Sequence, residues 1–244
     1  AEAMFKLALE ADFDNADYLG AYANFLCDDR KALDAAEALY ERALAADPKH
    51  ANNLGNYASF LFAERKDVEG AEALYERALA AGPNNANNLG NYANFLHNDR
   101  KDLDGAEALY QRALAADPNH ILNLGNYAHL CLSGGRLVEG MELVRRALGL
   151  LPSGAPSEID AECWMYAYCC GDRRDDALVS LRRLILTDNI RTGPWDFSGV
   201  IEQARKMNHP EQAFLPVLAE VLAGTQPATA LEEWPAWRAA RWPA

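Results

Sequence analysis

Asparagines that recur every 35 positions are the side chains of this sequence best suited to binding chemistry. The segment NLGNYA begins at Asn53 and returns at Asn88 and Asn123. Because an asparagine amide both donates and accepts hydrogen bonds, a row of amides can bind the backbone of a peptide segment. Asparagine is a mediocre helix former, so its repetition within helices needs a reason. An equally open explanation is that the amides bridge neighbouring repeats or face water.

Paired arginines in the C-terminal half form a second set of candidate binding residues. Arg145 and Arg146 occupy positions equivalent to those of Arg182 and Arg183. The two pairs could therefore stack into a basic strip that meets an acidic partner surface. An arginine near a helix C-terminus also complements the helix macrodipole, and this simpler explanation is the one we favour.

Catalytic and metal-binding sequence patterns are not found. The sequence has no G-x-x-x-x-G-K-[ST], H-E-x-x-H, G-x-S-x-G or C-x-x-C motif. His97 and His129 could approach one another on successive helices, but no cysteine or carboxylate pattern completes a metal site. We therefore predict that the protein is not an enzyme and binds neither a cofactor nor a metal.

The five cysteines are odd in number, and their spacing matches no zinc site. We expect reduced, mostly buried thiols. A redox pair at Cys169 and Cys170 is the alternative, but adjacent helical residues point about 100° apart, so a disulfide between them would be strained.

The charge balance excludes several classes of partner. The chain has 23 basic and 36 acidic residues, a formal net charge of −13. Binding to nucleic acid or to anionic membranes relies on excess lysine and arginine, so neither is expected. No apolar run reaches the roughly 18 residues of a membrane helix, and the N-terminus has no signal-peptide pattern. We expect a soluble cytoplasmic protein.

Each 35-residue unit is predicted to form two helices that position these side chains. In the first helix, Leu54, Tyr57, Ala58 and Leu61 follow the i, i+3, i+4, i+7 spacing of one helix face. The second helix repeats the segment AEALY-x-RAL. It ends at a proline, as at Pro83, because the residue before proline disfavours helical geometry. Units of this length indicate a solenoid.

The second-helix pattern resembles that of the tetratricopeptide repeat family. The matching residues are Ala71, Tyr75, Ala78 and Pro83. The equivalent residues of the next unit are Ala106, Tyr110, Ala113 and Pro118. The resemblance implies an all-α, right-handed α-solenoid of antiparallel helix pairs. The family repeat has about 34 residues, so each unit here carries one extra residue, which we place in the turn between the helices. In the fourth unit Gly134 and Gly135 make a shorter turn.

The resemblance also places the first helix of each repeat on the concave side of the superhelix. The predicted partner-binding residues there are Asn24, Asn52, Asn56, Ser59, Asn87, Asn91, Asn94, His97, Asn126 and His129. A glycine precedes Asn56, Asn91 and Asn126, although a glycine within a helix costs about 1 kcal/mol. Either a neighbouring helix packs closely against these glycines, or they keep the floor of the groove open for a ligand.

The repeat register predicts the organisation of the whole chain. Residues 1–15 form the second helix of a repeat whose first helix is missing, which suggests a fragment and leaves Met4 and Phe5 exposed. Residues 16–154 form four repeats, and residues 155–190 form a degenerate fifth. Residues 191–244 form a divergent helical cap, with a last helix from Leu231 to Arg241 rich in tryptophan.

These features predict a scaffold that binds a protein or peptide through its concave surface. The amino-acid sequence of the repeats is of the type found in bacterial repeat proteins. One alternative is an immunity protein that neutralises a toxin or effector, since an acidic solenoid could occlude a basic toxin. Another is the sensor or adaptor arm of a larger signalling or defence protein. RNA-binding pentatricopeptide repeats share the 35-residue period, but the negative charge and the second-helix pattern do not fit them.

Overall fold

The computed structural model describes the chain except for residues 152–155, 172, 191, 193–194 and 241–244. Within the described part, every regular element is helical and no strand is present, which confirms the predicted all-α fold. None of these helices combines the length and the apolar character that crossing a membrane requires. The chain divides into two compact units, Ala1–Ala116 and Asp117–Ala244.

The first unit consists of a leading helix followed by three helix pairs. Its helices are α1 (Glu2–Ala11), α2 (Ala16–Asp28), α3 (Leu33–Ala46), α4 (Ala51–Phe60), α5 (Val68–Ala81), α6 (Ala86–Phe95) and α7 (Leu103–Ala116). The pairs are α2 with α3, α4 with α5, and α6 with α7, and each pair also packs against the next. This arrangement confirms the predicted solenoid of helix pairs.

The core of each pair forms where the two predicted apolar faces meet. Leu54 and Ala58 of α4 are buried, as are Ala71, Tyr75 and Ala78 of α5. Alanine at three of these positions lets the helix backbones approach closely, and leucine and tyrosine fill the remaining space. The i, i+3, i+4 spacing in the sequence therefore identified the buried faces correctly.

The extra residue of each 35-residue unit lies at the end of the first helix, as predicted. A π-helical turn, Leu61–Arg65, continues α4, and Lys66 then adopts a left-handed conformation with φ 59°. The Asp67 backbone N–H reaches back six residues to the Leu61 carbonyl at 3.0 Å. A π turn holds one more residue than an α turn, so the unit gains length without breaking its helix.

The second unit contains two helix pairs followed by shorter helices. Its helices are α8 (Ile121–Ser133), α9 (Leu137–Leu150), α10 (Glu158–Cys170), α11 (Arg174–Leu186), α12 (Ser198–Lys206), α13 (Phe214–Leu222) and α14 (Pro235–Ala239). The shorter turn predicted after α8 is observed: the Arg136 N–H bonds the Cys131 carbonyl, five residues back, and Gly135 has φ 81°. The α12 helix packs on α8 and α10, and α13 packs on α10.

The end of the second unit is organised around one tryptophan. Trp237 on α14 is fully buried and contacts the Phe214 ring. The single helix expected from Leu231 onwards is instead divided. A 3₁₀ turn, Ala228–Leu231, precedes α14. The α14 helix starts at Pro235, since proline is well suited to the first position of a helix. The predicted contribution of Trp242 lies outside the described residues.

Candidate functional site

Three first helices carry a predicted site asparagine that is at least partly exposed. Asn56 of α4 is half-buried and Asn91 of α6 is exposed, and neither side chain hydrogen-bonds to any described residue. In the second unit, Asn126 of α8 is half-buried and equally without such a bond. The equivalent residue of α2 is Ala21, so this row of asparagines starts at α4. The amides of these three residues can both donate and accept hydrogen bonds.

Two other predicted site residues already bond the second helix of their own pair. The Tyr40 hydroxyl donates to the Asn24 side-chain oxygen. At the equivalent position of the next pair, Ser59 Oγ lies 3.0 Å from the Tyr75 hydroxyl and donates to the Gly55 carbonyl at 3.1 Å. A partner that used Asn24 or Ser59 would have to compete with these bonds.

A further set of polar residues joins successive pairs at the start of their first helices. Asn52 accepts a hydrogen bond of 2.7 Å from the Asn85 amide. At the equivalent positions of the preceding pair, Asp17 bonds His50 at 3.0 Å. Asn52 thus favours the alternative explanation, in which amides bridge neighbouring repeats. Asn87, the equivalent residue of α6, is exposed.

The asparagines that bridge repeats most directly were not among the predicted site residues. Asn53 and Asn88 are only 3% and 2% exposed. Their side-chain amides donate to the carbonyls of Ala16 and Ala51, each at 2.8 Å. Both carbonyls belong to the first turn of the preceding first helix. A buried amide with a satisfied donor ties the two helices together.

The repeated glycines make room for these bridging amides. A Cβ atom at Gly20 or Gly55 would overlap with the side-chain oxygen of Asn53 or Asn88, respectively. In the second unit, a Cβ at Gly125 would overlap with the end of the Ile159 side chain. Close packing of the neighbouring helix, rather than an open groove floor, therefore accounts for these glycines. The glycine two positions after each bridging asparagine is the sequence signal that could have identified the bridge.

Gly55→Ala is expected to destabilise the protein by about 1–2 kcal/mol, although alanine is the better helix former. The new Cβ would lie 2.7 Å from Cγ of Asn88, so the amide must move and lose its bond to Ala51. Chemical denaturation of Gly55→Ala, Asn88→Ala and the double variant provides the measurement. The double variant should lose less stability than the sum of the two single variants, and strict additivity would contradict the close-packing explanation.

The two histidines among the predicted site residues differ in their surroundings. His97 is half-buried in the π-helical turn Leu96–Arg100. His129 is buried, and its ring stacks on Tyr166 with centroids 5.9 Å apart and contacts Trp195. The expectation of an exposed, groove-lining His129 was therefore wrong, because aromatic residues later in the second unit cover it.

Arg145 and Arg146, the first pair of the predicted basic strip, have partners within the second unit. Arg145 forms an ion pair of 2.9 Å with Glu142 on its own helix. Arg146 donates to the Pro118 carbonyl at 2.7 Å. The same contact recurs in the first unit, where Arg112 donates to the Pro83 carbonyl at 3.0 Å. The recurrence indicates that this arginine holds the turn before its helix pair.

The second arginine pair is equally engaged. Arg182 is half-buried, donates to the Trp237 carbonyl at 2.6 Å and places its guanidinium 5.1 Å from the centre of that indole ring. Arg183 forms an ion pair of 3.3 Å with Asp188. These contacts favour a structural role, since Arg182 holds α14 in place.

Two arginines in the turns of the first unit form ion pairs with the preceding helix pair. Arg65 lies 2.6 Å from both Asp34 and Glu37, and Arg100 pairs with Glu72. Exposed pairs of this kind contribute little stability. They do give both guanidinium groups acidic partners.

Several titratable groups are buried in α10. Burial, assisted by the charge of Glu158, raises the pKa of the Glu162 carboxyl to about 8. Burial likewise raises the pKa of the Cys169 thiol, and that of Cys170 to about 12, so neither is a ready nucleophile. Among the described residues, no cluster of three histidines, cysteines or carboxylates is placed to hold a metal ion.

Comparison with known proteins agrees with this geometry. Two family models described as tetratricopeptide repeat match residues 29–87, 97–155 and 61–121. No curated protein matches the sequence.

Solved structures share the fold at low identity. The type IV pilus biogenesis factor PilW is 15% identical over 91% of this chain and 96% of its own, with a TM-score of 0.62. PilF of Pseudomonas aeruginosa is 17% identical over 91% and 87%, with a TM-score of 0.55. YrrB, described as a protein of this repeat type with an unusual peptide-binding site, is 17% identical over 89% and 98%, with a TM-score of 0.52.

Proposed function

Because this chain belongs to the tetratricopeptide repeat family, we propose that it is a non-catalytic scaffold that binds a protein or peptide partner through its first helices. The observation that carries this proposal is the asparagine row of the first unit, Asn56 and Asn91, together with Asn126 at the equivalent repeat position of the second unit. These amides occupy one position of successive repeats, are at least partly exposed and lack hydrogen-bond partners among the described residues. YrrB, which shares the fold, is described as binding a peptide.

The chemistry of the row suggests what the partner presents. An amide donates to a backbone carbonyl and accepts from a backbone N–H, so it suits a segment whose main chain is accessible. The arginines in the turns are already paired with acidic residues, so the face supplies few free cations. A partner that depends on an acidic tail is therefore disfavoured, and a neutral polar segment is favoured.

A toxin-neutralising role is the second candidate, and the net charge of −13 favours it. An acidic surface speeds association with a basic partner, and this rate depends steeply on salt. Binding to the partner should weaken markedly between low and high salt if this role is correct. Binding through neutral amides should change little.

Replacing Asn56, Asn91 and Asn126 together with alanine tests the scaffold proposal. Each lost hydrogen bond should weaken partner binding by about 0.5–1.5 kcal/mol. The melting temperature should stay the same or rise, because alanine is the better helix former and these amides hydrogen-bond no residue in the part of the chain that the structure describes. The partner is recovered by pull-down from native lysate, and its affinity is measured by calorimetric titration.

The matched control replaces the bridging residues Asn53 and Asn88 with alanine. This variant should lower the melting temperature, because two buried hydrogen bonds are lost. Its affinity for the partner, measured while it is folded, should be unchanged. The proposal is contradicted if the triple variant loses stability and keeps its affinity.

A further inference from the structure

The repeat position of the exposed asparagines is occupied on α10 by a carboxyl group. In the regular repeats this position lies three residues after the asparagine that packs against the preceding glycine, as Asn91 follows Asn88. On α10 the residue that packs against the preceding glycine, Gly125, is Ile159. Glu162 follows Ile159 by three residues, so it occupies the same position of the repeat.

This carboxyl group is buried and unpaired in the part of the chain that the structure describes. Glu162 is only 7% exposed, and no described residue forms a hydrogen bond or an ion pair with it. Fully enclosed polar atoms without a hydrogen bond occur in the second unit at Ser133 and Arg174, but the oxygens of Glu162 are not among them. The carboxyl group therefore touches solvent at its tip, where a ligand can reach it.

Glu162 lies beside the amide of Asn126 within the second unit. The α10 helix packs on α8. Asn126 precedes His129 by three residues and Glu162 precedes Tyr166 by four, so each pair of residues lies on one face of its helix. The rings of His129 and Tyr166 stack with centroids 5.9 Å apart. The stacked rings join the two faces and so bring the amide and the carboxyl group together.

The surroundings of Glu162 supply no positive charge. Among the described residues, the charge that bears on its ionisation is that of Glu158, which is exposed one turn earlier and has the same sign. Burying a carboxyl group without a partner is costly. An opposite charge is the partner that favours the ionised form most strongly. The missing element at this position is therefore a cation.

We propose that Glu162 binds a lysine or arginine side chain of the partner segment whose backbone is bound by the amide of Asn126. The inference rests on the proposed function, and it adds one basic residue to a segment that is otherwise neutral. An ion pair formed at this buried position is screened by salt much less than an exposed pair. It would therefore select partners that carry a basic residue at one defined place.

A phage-displayed library of random peptides provides the probe. The full chain and its Glu162→Gln variant are both used for selection, with washing at about 0.5 M salt, where exposed charges are screened. Peptides selected on the wild type should share a lysine or arginine at one position, and those selected on Glu162→Gln should not. The variant is expected to fold, because it removes an ionisable group from a buried site.

The peptide recovered most often is then titrated into the full chain by calorimetry. Glu162→Gln should weaken binding about tenfold or more, and so should replacing the basic residue of the peptide with norleucine. Both changes together should weaken binding little more than either alone, because they remove the same contact. Glu158→Gln removes an equal charge from an exposed position. As the matched control, it should bind within about twofold of the wild type.

Proton release is a second measurement of the same contact. The pKa of Glu162 is about 8 in the free protein, so the carboxyl group holds its proton at pH 7. Pairing with a cation favours the ionised form, so binding at pH 7 should release about one proton. Calorimetry in two buffers with different ionisation enthalpies measures this number. Glu162→Gln should release none.

Two results would overturn the inference. One is selection of peptides that need Asn126 but show no preference for a basic residue, which would leave the proposed function intact. The other is equal weakening by Glu162→Gln and Glu158→Gln, which would mean that general acidity attracts the peptide. A peptide that needs Glu162 but binds Asn126→Ala as tightly as the wild type would support the carboxyl contact and contradict the amide proposal. Recovery of no peptide would contradict both.

Discussion

Replacing Tyr75 with alanine is expected to lower the free energy of unfolding by about 3–5 kcal/mol. The side chain is only 2% exposed. Its ring stacks on Tyr92 with centroids 5.3 Å apart and meets Phe95 at 5.6 Å, and its hydroxyl bonds Ser59. The substitution would leave a cavity between α4, α5 and α6, at the contact between two successive pairs.

Tyr75→Phe separates packing from hydrogen bonding and is the control for this prediction. It keeps the ring contacts and removes the hydroxyl, so it should cost about 1 kcal/mol. Urea denaturation monitored by circular dichroism gives both values. A loss below about 1 kcal/mol for Tyr75→Ala would show that the stacked rings contribute little to holding adjacent pairs together.

Glu162→Gln is expected to stabilise the protein, and by more at high pH than at low pH. The carboxyl is 7% exposed, and its pKa rises from 4.5 to about 8 on folding. A carboxyl whose pKa is raised on folding binds its proton more tightly in the folded state. The stability is therefore fully present below about pH 4.5 and is lost as the pH rises towards 8.

The size of the effect follows from the same linkage. At pH 7 the folded state still holds a proton on Glu162 that the unfolded chain releases, and this costs about 3 kcal/mol, at 1.36 kcal/mol per pKa unit. The stability difference between wild type and Glu162→Gln should therefore be larger at pH 7.5 than at pH 5. Glu158→Gln, which removes the exposed charge one turn earlier, should change stability far less. An equal gain for Glu162→Gln at both pH values would mean that the pKa of the carboxyl is not raised.

The fold was largely predictable because the information that specifies it is local. The 35-residue period, the spacing of Leu54 and Ala58, and the proline after each second helix predict helix pairs without any knowledge of distant contacts. The position of the extra residue was also predictable. The apolar spacing fixes the buried face of both helices, so an extra residue within either helix would rotate part of that face away from the core. The turn between the helices is the part of the unit that tolerates an insertion.

The candidate site was predicted less completely. Asn53 and Asn56 both recur at the 35-residue period, so periodicity alone does not distinguish them. The crossing of successive first helices decides that Asn53 lies over Gly20 and bonds Ala16, whereas Asn56 faces outwards. His129 was misplaced for a related reason, because the rings that cover it, Tyr166 and Trp195, lie outside the regular repeats.

The sequence by itself determined the helices of the regular repeats and the faces that they bury, since each depends on residues within one or two turns of one another. The tertiary structure decided which polar side chains are used in holding the repeats together and which remain available. Arg182 bonds Trp237, 55 residues later, and Asn53 bonds Ala16, 37 residues earlier. A hydrogen bond depends on distance and direction to within fractions of an ångström, and the packing of distant segments sets both.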